Sequence, residues 1–159
     1  MLSEKLRKEI LRTRDRYPDR RSAVLPALHV VQDEQGSVTE EGMAEIAELL
    51  DLPRSDVGGV ATFYTMFFKR PVGRYVLDVC TTLSCSLLGS EHLVEYLSAK
   101  LGVKVGETTA DGMFTLRTVE CLGACGNAPV MMVGDTYHED LTKEKIDSLL
   151  DQLRKKVEG

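Results

Sequence analysis

Apolar residues in the first 70 positions recur every three or four places, the period of a helix with one buried face. Leu2, Leu6 and Ile10 follow one another at four-residue steps behind Ser3, which is placed to cap a first helix that Pro18 ends. A second helix is expected from Ser22, with Pro26 in its first turn and Val24, Leu28 and Val31 as its apolar face, until the stretch DEQGS breaks it. Thr39 caps a third, in which Met43, Ile46, Ala47 and Leu50 form a buried stripe. Ser55 or Asp56 opens a fourth, with Val57, Val60, Ala61 and Tyr64 on one side. Phe63, Met66, Phe67 and Phe68 crowd its end, either as core or, in a sharper reading, as a patch that docks a partner.

Beyond Pro71-Val72-Gly73 the period shortens to two. RYVLDVC, MFTLRTVE, PVMMV and TYHE read as strands, and Gly134-Asp135 as the hairpin turn between the last two. Between the first two strands, Leu93, Leu97 and Leu101 mark a helix capped by Ser90 and stopped by Gly102. LTKEKIDSLLDQLRKKV is a closing amphipathic helix. The expected organisation is a helical segment over 1–70 followed by an α/β domain over 71–159, ordered β-α-β-β-β-α.

That order changes the meaning of the cysteines. All four lie in two close pairs, Cys80/Cys85 with four residues between and Cys121/Cys125 with three. A strand–helix–strand crossover makes the first two strands parallel, so the loops after both carboxyl ends open at one edge of the sheet. Thiols separated by 35 residues of chain can meet there. Four thiolates suit a tetrahedral zinc ion or a [2Fe–2S] cluster, and spacing alone leaves these two open. A redox disulfide usually shows a two-residue gap, which neither pair has. Thr81, Thr82, Ser84 and Ser86 around one pair, and Gly123, Ala124 and Gly126 around the other, let backbone N–H groups close on sulfur, as clusters favour. His29, His92 and His138 are then ordinary helix and strand residues.

Bulk properties narrow the class further. The chain has 159 residues, 43% hydrophobic and 28% charged, with a net charge of −5, which describes a folded globular chain. No apolar run reaches membrane-spanning length. Glu4, Glu9, Asp15 and Asp19 are foreign to a secretory or mitochondrial leader, so a reducing compartment and unbridged thiols are expected. Lys5, Arg7, Lys8, Arg12, Arg14, Arg16, Arg20 and Arg21 make the N-terminal stretch basic. With an acidic remainder and no reader motif, this implies a solvated face or one meeting an acidic partner rather than nucleic acid.

Two blocks carry a family resemblance: GGVATFYTMFFKRPVGRYVLDVCTTLSC and VECLGACGNAPVMMVGDTYHEDLT. With their C-x4-C and C-x3-C pairs in order, they resemble the family of thioredoxin-like [2Fe–2S] E subunits of NADH:quinone oxidoreductase (respiratory complex I), over nearly the whole chain. That family also includes small subunits of NAD-linked hydrogenases and formate dehydrogenases. The resemblance implies a thioredoxin-like fold with one binuclear cluster on Cys80, Cys85, Cys121 and Cys125. It implies single-electron exchange with the FMN of an NADH-binding partner subunit, further iron–sulfur subunits in the peripheral arm, and a cytoplasmic position on the inner membrane without insertion. Docking falls to the helical segment. No G-x-G-x-x-G or phosphate loop is present, so FMN and NADH belong to the partner. A hydrogenase or formate dehydrogenase subunit is the near alternative, and a zinc-stapled interaction module without redox chemistry the distant one. Two positions depart from the family pattern: Ser84, where many relatives have proline, and Gly126, where a bulkier residue is common.

Overall fold

The computed structural model describes residues 1–158. Its backbone groups into two compact units, Met1–Pro71 and the chain from Val72 onward.

The first unit is a four-helix assembly: α1 (Glu4–Arg14), α2 (Val24–Gln35), α3 (Glu40–Leu50) and α4 (Arg54–Phe63), with a 3-10 turn at Arg20–Ala23 leading into α2. Ser3 and Thr39 accept hydrogen bonds from the N–H groups of Leu6 and Gly42, so both are the caps their sequence places suggest. Leu6, Ile10, Leu28, Val31, Ile46, Ala47, Leu50, Val57 and Ala61 share one buried core. Deleting a side chain there removes its burial and leaves a cavity, which explains why the helical stripes hold their places.

Some boundaries differ from expectation. α1 ends at Arg14, before Pro18, because the N–H groups of Arg16 and Tyr17 tighten onto the carbonyls of Thr13 and Arg14. α4 begins at Arg54 with Pro53 at its cap position, ahead of Ser55 and Asp56, since proline tolerates the orphan donor end of a helix. It stops at Phe63, and the aromatic and thioether residues that crowd its end separate. Phe67 is 1% exposed, its ring edge-on to His29 at a centroid distance of 4.9 Å. Phe63 is 77% exposed, while Tyr64 and Met66 are also accessible. Phe67 is therefore core and cannot anchor a partner. The chain leaves the helix at Tyr64, and the Gln32 side chain then ties Met66 and Phe68 through their backbone groups, turning Phe67 inward.

In the second unit, β1 (Tyr75–Cys80), α5 (Leu83–Leu87), α6 (Ser90–Leu101), β2 (Phe114–Val119), β3 (Met131–Val133), β4 (Thr136–His138) and α7 (Lys143–Glu158) follow in order. The sheet order is β2-β1-β3-β4. β1 and β2 run parallel from Tyr75↔Phe114 to Cys80↔Val119, and β3 is antiparallel to both β1 and β4. Leu77 and Val79, with Phe114, Leu116, Met131 and Val133, bury one sheet face among Leu93 and Leu97 of α6 and Ile146, Leu150 and Leu153 of α7. Gly73 enters β1 where a Cβ would meet the Phe114 backbone at 2.8 Å, so only glycine fits this approach.

Two details were not expected. α5 is an additional short helix in the loop after β1. Ser90 is the first residue of α6 rather than its cap; Gly89 takes the cap position with φ +87 and makes no side-chain cap bond, and the Ser90 hydroxyl is buried. The left-handed turn at Gly89 is what lets α5 pass directly into α6.

Candidate metal centre

The parallel register carries the site. Because Cys80 stands opposite Val119, the chain leaves both strands at the same level, and two cross-connections hold the loops together. The Cys80 N–H donates to Val130 O at 3.0 Å, and the Thr81 N–H to Val119 O at 3.1 Å. Cys80, Cys85, Ala128 and Val130 form a small buried cluster on which Leu122 and Ala124 pack. The two cysteine loops are thus in contact, although α6 and β2 lie between them in sequence.

Each cysteine is held by a different local device. Cys80 is the last residue of β1. Cys85 is brought inward by α5, whose other side exposes Leu83 and Leu87. Cys121 and Cys125 embrace a turn in which Gly123 takes φ +81, a conformation that favours glycine, and Cys125 opens a 3-10 turn to Asn127. That second loop is braced from β4 and beyond: Tyr137 donates to Leu122 O at 3.0 Å, Asn127 to Glu139 at 2.8 Å, and the Asp140 N–H to Asn127 O at 2.7 Å. The Ala128–Pro129 peptide in this loop is cis.

All four thiols are free, Cys80 and Cys85 buried, Cys121 and Cys125 exposed. The Cys121 and Cys125 sulfurs lie 3.5 Å apart. Two thiolates at about 2.3 Å from one tetrahedral metal stand about 3.8 Å apart, so this pair is already spaced to share a metal. The Cys80 and Cys85 thiols are within hydrogen-bonding reach of each other. Among the described residues, no group of three or more metal-binding side chains gathers around a single ion position. Within each loop the two thiols stand as a close pair, the arrangement that two thiolates on each of two irons would use.

Donors surround the sulfurs. Burial pushes the Cys80 thiol up, but the Thr82 hydroxyl and N–H, the Leu122 N–H and the Cys85 thiol outweigh it, and its pKa lies below the usual value. The Thr82 hydroxyl is 3.2 Å from Cys80 Sγ. Burial raises the Cys85 pKa, the Cys80 thiol adds to the rise, and the Val130 N–H opposes it. Cys125 is raised first by the Cys121 thiol, whereas the Ser84 hydroxyl acts to lower it. The Gly123 N–H points at Cys121 Sγ at 3.4 Å. Ser84 thus acts from the first loop on a sulfur of the second. Thr82 and Ser84 were legible only as small loop residues; their hydroxyls find sulfur because α5 turns them toward it. Leu122, Val130 and Tyr137 carry no signal in sequence, since their roles use backbone groups and a contact from another strand. His29, His92 and His138 contribute nothing to the sulfur site: His29 packs on Phe67, His92 is 3.6 Å from Glu95, and His138 lies in β4, its pKa lowered by burial.

Comparison with known proteins bears on this geometry. The family model for thioredoxin-like [2Fe–2S] ferredoxins matches residues 10–154. The NADH-quinone oxidoreductase E subunit numbered 2 in Rhizobium meliloti is 50% identical over 149 residues, covering 94% of this chain and 89% of the relative. The E subunit of the Pseudomonas aeruginosa oxidoreductase is 42% identical over 151 residues, 95% of this chain and 91% of the relative. Its Mycobacterium tuberculosis counterpart is 45% identical, but there the chain spans only 55% of the relative's length. Among solved structures, an NAD+-reducing [NiFe]-hydrogenase in its H2-reduced state superposes with a TM-score of 0.70 at 24% identity, over 82% of this chain and 22% of that one, a likeness of fold alone. Since the family model and these relatives span most of the helical unit and the whole cysteine-bearing sheet, the chain belongs to the thioredoxin-like [2Fe–2S] ferredoxin family, with the E subunits of NADH-quinone oxidoreductase.

Proposed function

We propose that this chain is the electron-transfer subunit of an NADH-oxidising oxidoreductase, holding one [2Fe–2S] cluster on Cys80, Cys85, Cys121 and Cys125 and exchanging single electrons with the FMN of an NADH-binding partner. The observation that carries the reading is the meeting of two thiol pairs at the carboxyl ends of two parallel strands. A cluster bound there supplies one-electron chemistry. The chain's own residues do the rest. Cys80 and Cys85 offer a buried pair of ligands and Cys121 and Cys125 an exposed pair. Thr82, Ser84 and the N–H groups of Leu122, Gly123 and Val130 offer hydrogen bonds to sulfur that stabilise added negative charge. Val130, Ala128 and Leu122 keep water from the inner side. The exposed pair is the side from which a redox partner approaches.

A zinc-stapled module would place the same four thiols around one ion; the match to the thioredoxin-like [2Fe–2S] ferredoxin family over residues 10–154 favours the cluster. A place in an NAD-linked hydrogenase or formate dehydrogenase shares the same chemistry; identity of 50% and 42% to NADH-quinone oxidoreductase relatives across most of their length favours the quinone-reducing assembly. No helix among the described residues is long and apolar enough to cross a membrane. The membrane association of the complex is then peripheral for this subunit, on the cytoplasmic side, with further iron–sulfur subunits beyond the flavoprotein.

NADH gives up a two-electron hydride, whereas one binuclear cluster takes a single electron, so a flavin must stand between them. The isolated chain, purified anaerobically, is expected to contain two irons and two sulfides and to keep its visible spectrum when NADH is added. Addition of the flavoprotein partner should then allow NADH to bleach it. Rapid bleaching without flavin, or stoichiometric zinc in place of iron, would sink this reading.

A further inference from the structure

The basic residues of the N-terminal stretch fall into two sets. Lys5 pairs with Glu34 at 2.9 Å, Arg7 with Glu45, Arg14 with Asp15 at 2.9 Å, Arg20 with Asp51, and Arg21 with Asp56 at 2.9 Å. Lys8, Arg12 and Arg16 have no such partner among the described residues, and all three are exposed. They stand at four-residue steps, so they fall on one side of α1 and the turn that follows it. Together with Lys5, Glu9 and Thr13 they line one surface groove of about 550 Å³. The opposite side of α1, through Leu2, Leu6 and Ile10, is buried in the bundle.

The stripe has no account within the bundle. Like charges at four-residue spacing weaken a helix rather than support it. The helix dipole favours Arg12, in the last turn, but not Lys8 a turn earlier. Glu9 lines the same groove and offsets at most one of the three charges, so the stripe keeps a net positive charge. We propose that Lys8, Arg12 and Arg16 form a docking stripe for an acidic face of a partner subunit, a proposal that rests on the reading of the chain as one component of a larger complex. Charge complementarity selects this occupant. A lipid surface is recognised by clusters of about four to eight cations, usually beside an insertable apolar face. Here there are three, and the apolar face of α1 is spent on the core. A phosphate polyanion would also meet the Glu9 carboxylate inside the groove, whereas a protein face can offer Glu9 a donor while its acids meet the cations.

The test uses the whole chain in its native membrane complex. A carbodiimide couples a lysine amine only to a carboxylate it already touches. Lys8 is expected to couple to an Asp or Glu of a partner subunit, and the adduct to vanish in Lys8→Arg, which keeps the charge but does not couple. The triple variant K8E/R12E/R16E should be retained on the NADH-oxidising assembly about tenfold less than the wild type at physiological ionic strength. Its melting temperature as an isolated chain should fall only slightly, because none of the three side chains is buried or paired and the loss is confined to the dipole interaction of Arg12; the coupling result, obtained on unaltered protein, does not depend on that. Retention equal to the wild type overturns the proposal, as does coupling of Lys8 only within its own chain. So does unchanged retention together with lost binding to phosphatidylserine vesicles, which would give the stripe to a membrane. A wild-type chain that fails to copurify with any NADH-oxidising assembly would bring down the subunit reading and the stripe's partner with it; the other outcomes leave that reading standing.

Discussion

Cys121 and Cys125 hold their sulfurs 3.5 Å apart on the exposed side of the site, while Cys80 and Cys85 face each other from the buried side of the same loops. One pair is open to solvent and the other closed to it, and their contributions to a bound cluster should differ accordingly.

Serine in place of any one of the four cysteines should cost the cluster most of its occupancy, read as iron per chain and visible absorbance. Cys80→Ser and Cys85→Ser should also lower the melting temperature of the cluster-free chain, because each puts a hydroxyl into a buried apolar cluster, whereas Cys121→Ser and Cys125→Ser should leave it near the wild type. Four variants with undiminished iron would refute the ligand set.

Ser84 offers a hydrogen bond to Cys125, and a donor at sulfur favours the more negative, reduced state of a cluster. Ser84→Ala should therefore lower the reduction potential, by on the order of tens of millivolts, with the cluster intact. Potentiometry of the two proteins checks this. An unchanged or higher potential would mean that the hydroxyl does not act on the bound cluster.

Phe67 and Phe63 should part company under mutation. Phe67→Ala opens a cavity in the helical unit and should destabilise it by about 3–5 kcal/mol. Phe63→Ser removes an exposed ring and should change stability by less than about 0.5 kcal/mol. Urea unfolding followed by circular dichroism distinguishes the two. Equal effects would contradict the inward turn of Phe67.

Asp147 accepts hydrogen bonds from Lys100 and Tyr96, each at 2.6 Å. Lys100 first, and Tyr96 after it, hold its carboxyl below the ordinary range. A depressed folded pKa means that the unfolded chain binds the proton first, so the stabilisation is complete above the ordinary carboxylate pKa and fades as pH falls through the lower folded value. Asp147→Asn should be less stable than the wild type at neutral pH, and the gap should close as the solution is acidified through that window. Melting temperatures of both proteins across the acid range check the sign; a gap that widens toward low pH would be wrong for this pair.

The helical stripes and alternating strands were legible in the sequence because each is a local pattern with one buried side. Leu6 and Ile10, or Leu77 and Val79, need no knowledge of the rest of the chain to show which way they face. The cysteine spacing and its surrounding blocks likewise identify the family, and the strand–helix–strand order predicts that the two loops share an edge. Boundaries were less legible. Pro53, Gly89 and the turn after Thr13 move helix ends by a few residues, because caps are decided by single backbone conformations.

What only the tertiary structure decided is which groups meet across the fold. Phe67 and Phe63 belong to one aromatic run, yet Gln32, some thirty residues away, determines through two hydrogen bonds which ring is core. Ser84 reaching Cys125 and Tyr137 holding Leu122 follow from α5 and from the β3–β4 hairpin, neither of which advertises its target. The division of the N-terminal cations into paired and free is set by where Glu34, Glu45, Asp51 and Asp56 arrive when the helices pack. Periodicity reports the face a residue turns toward its own element's neighbour; a partner brought from a distant part of the chain leaves no periodic trace, since its position depends on the packing of every element between.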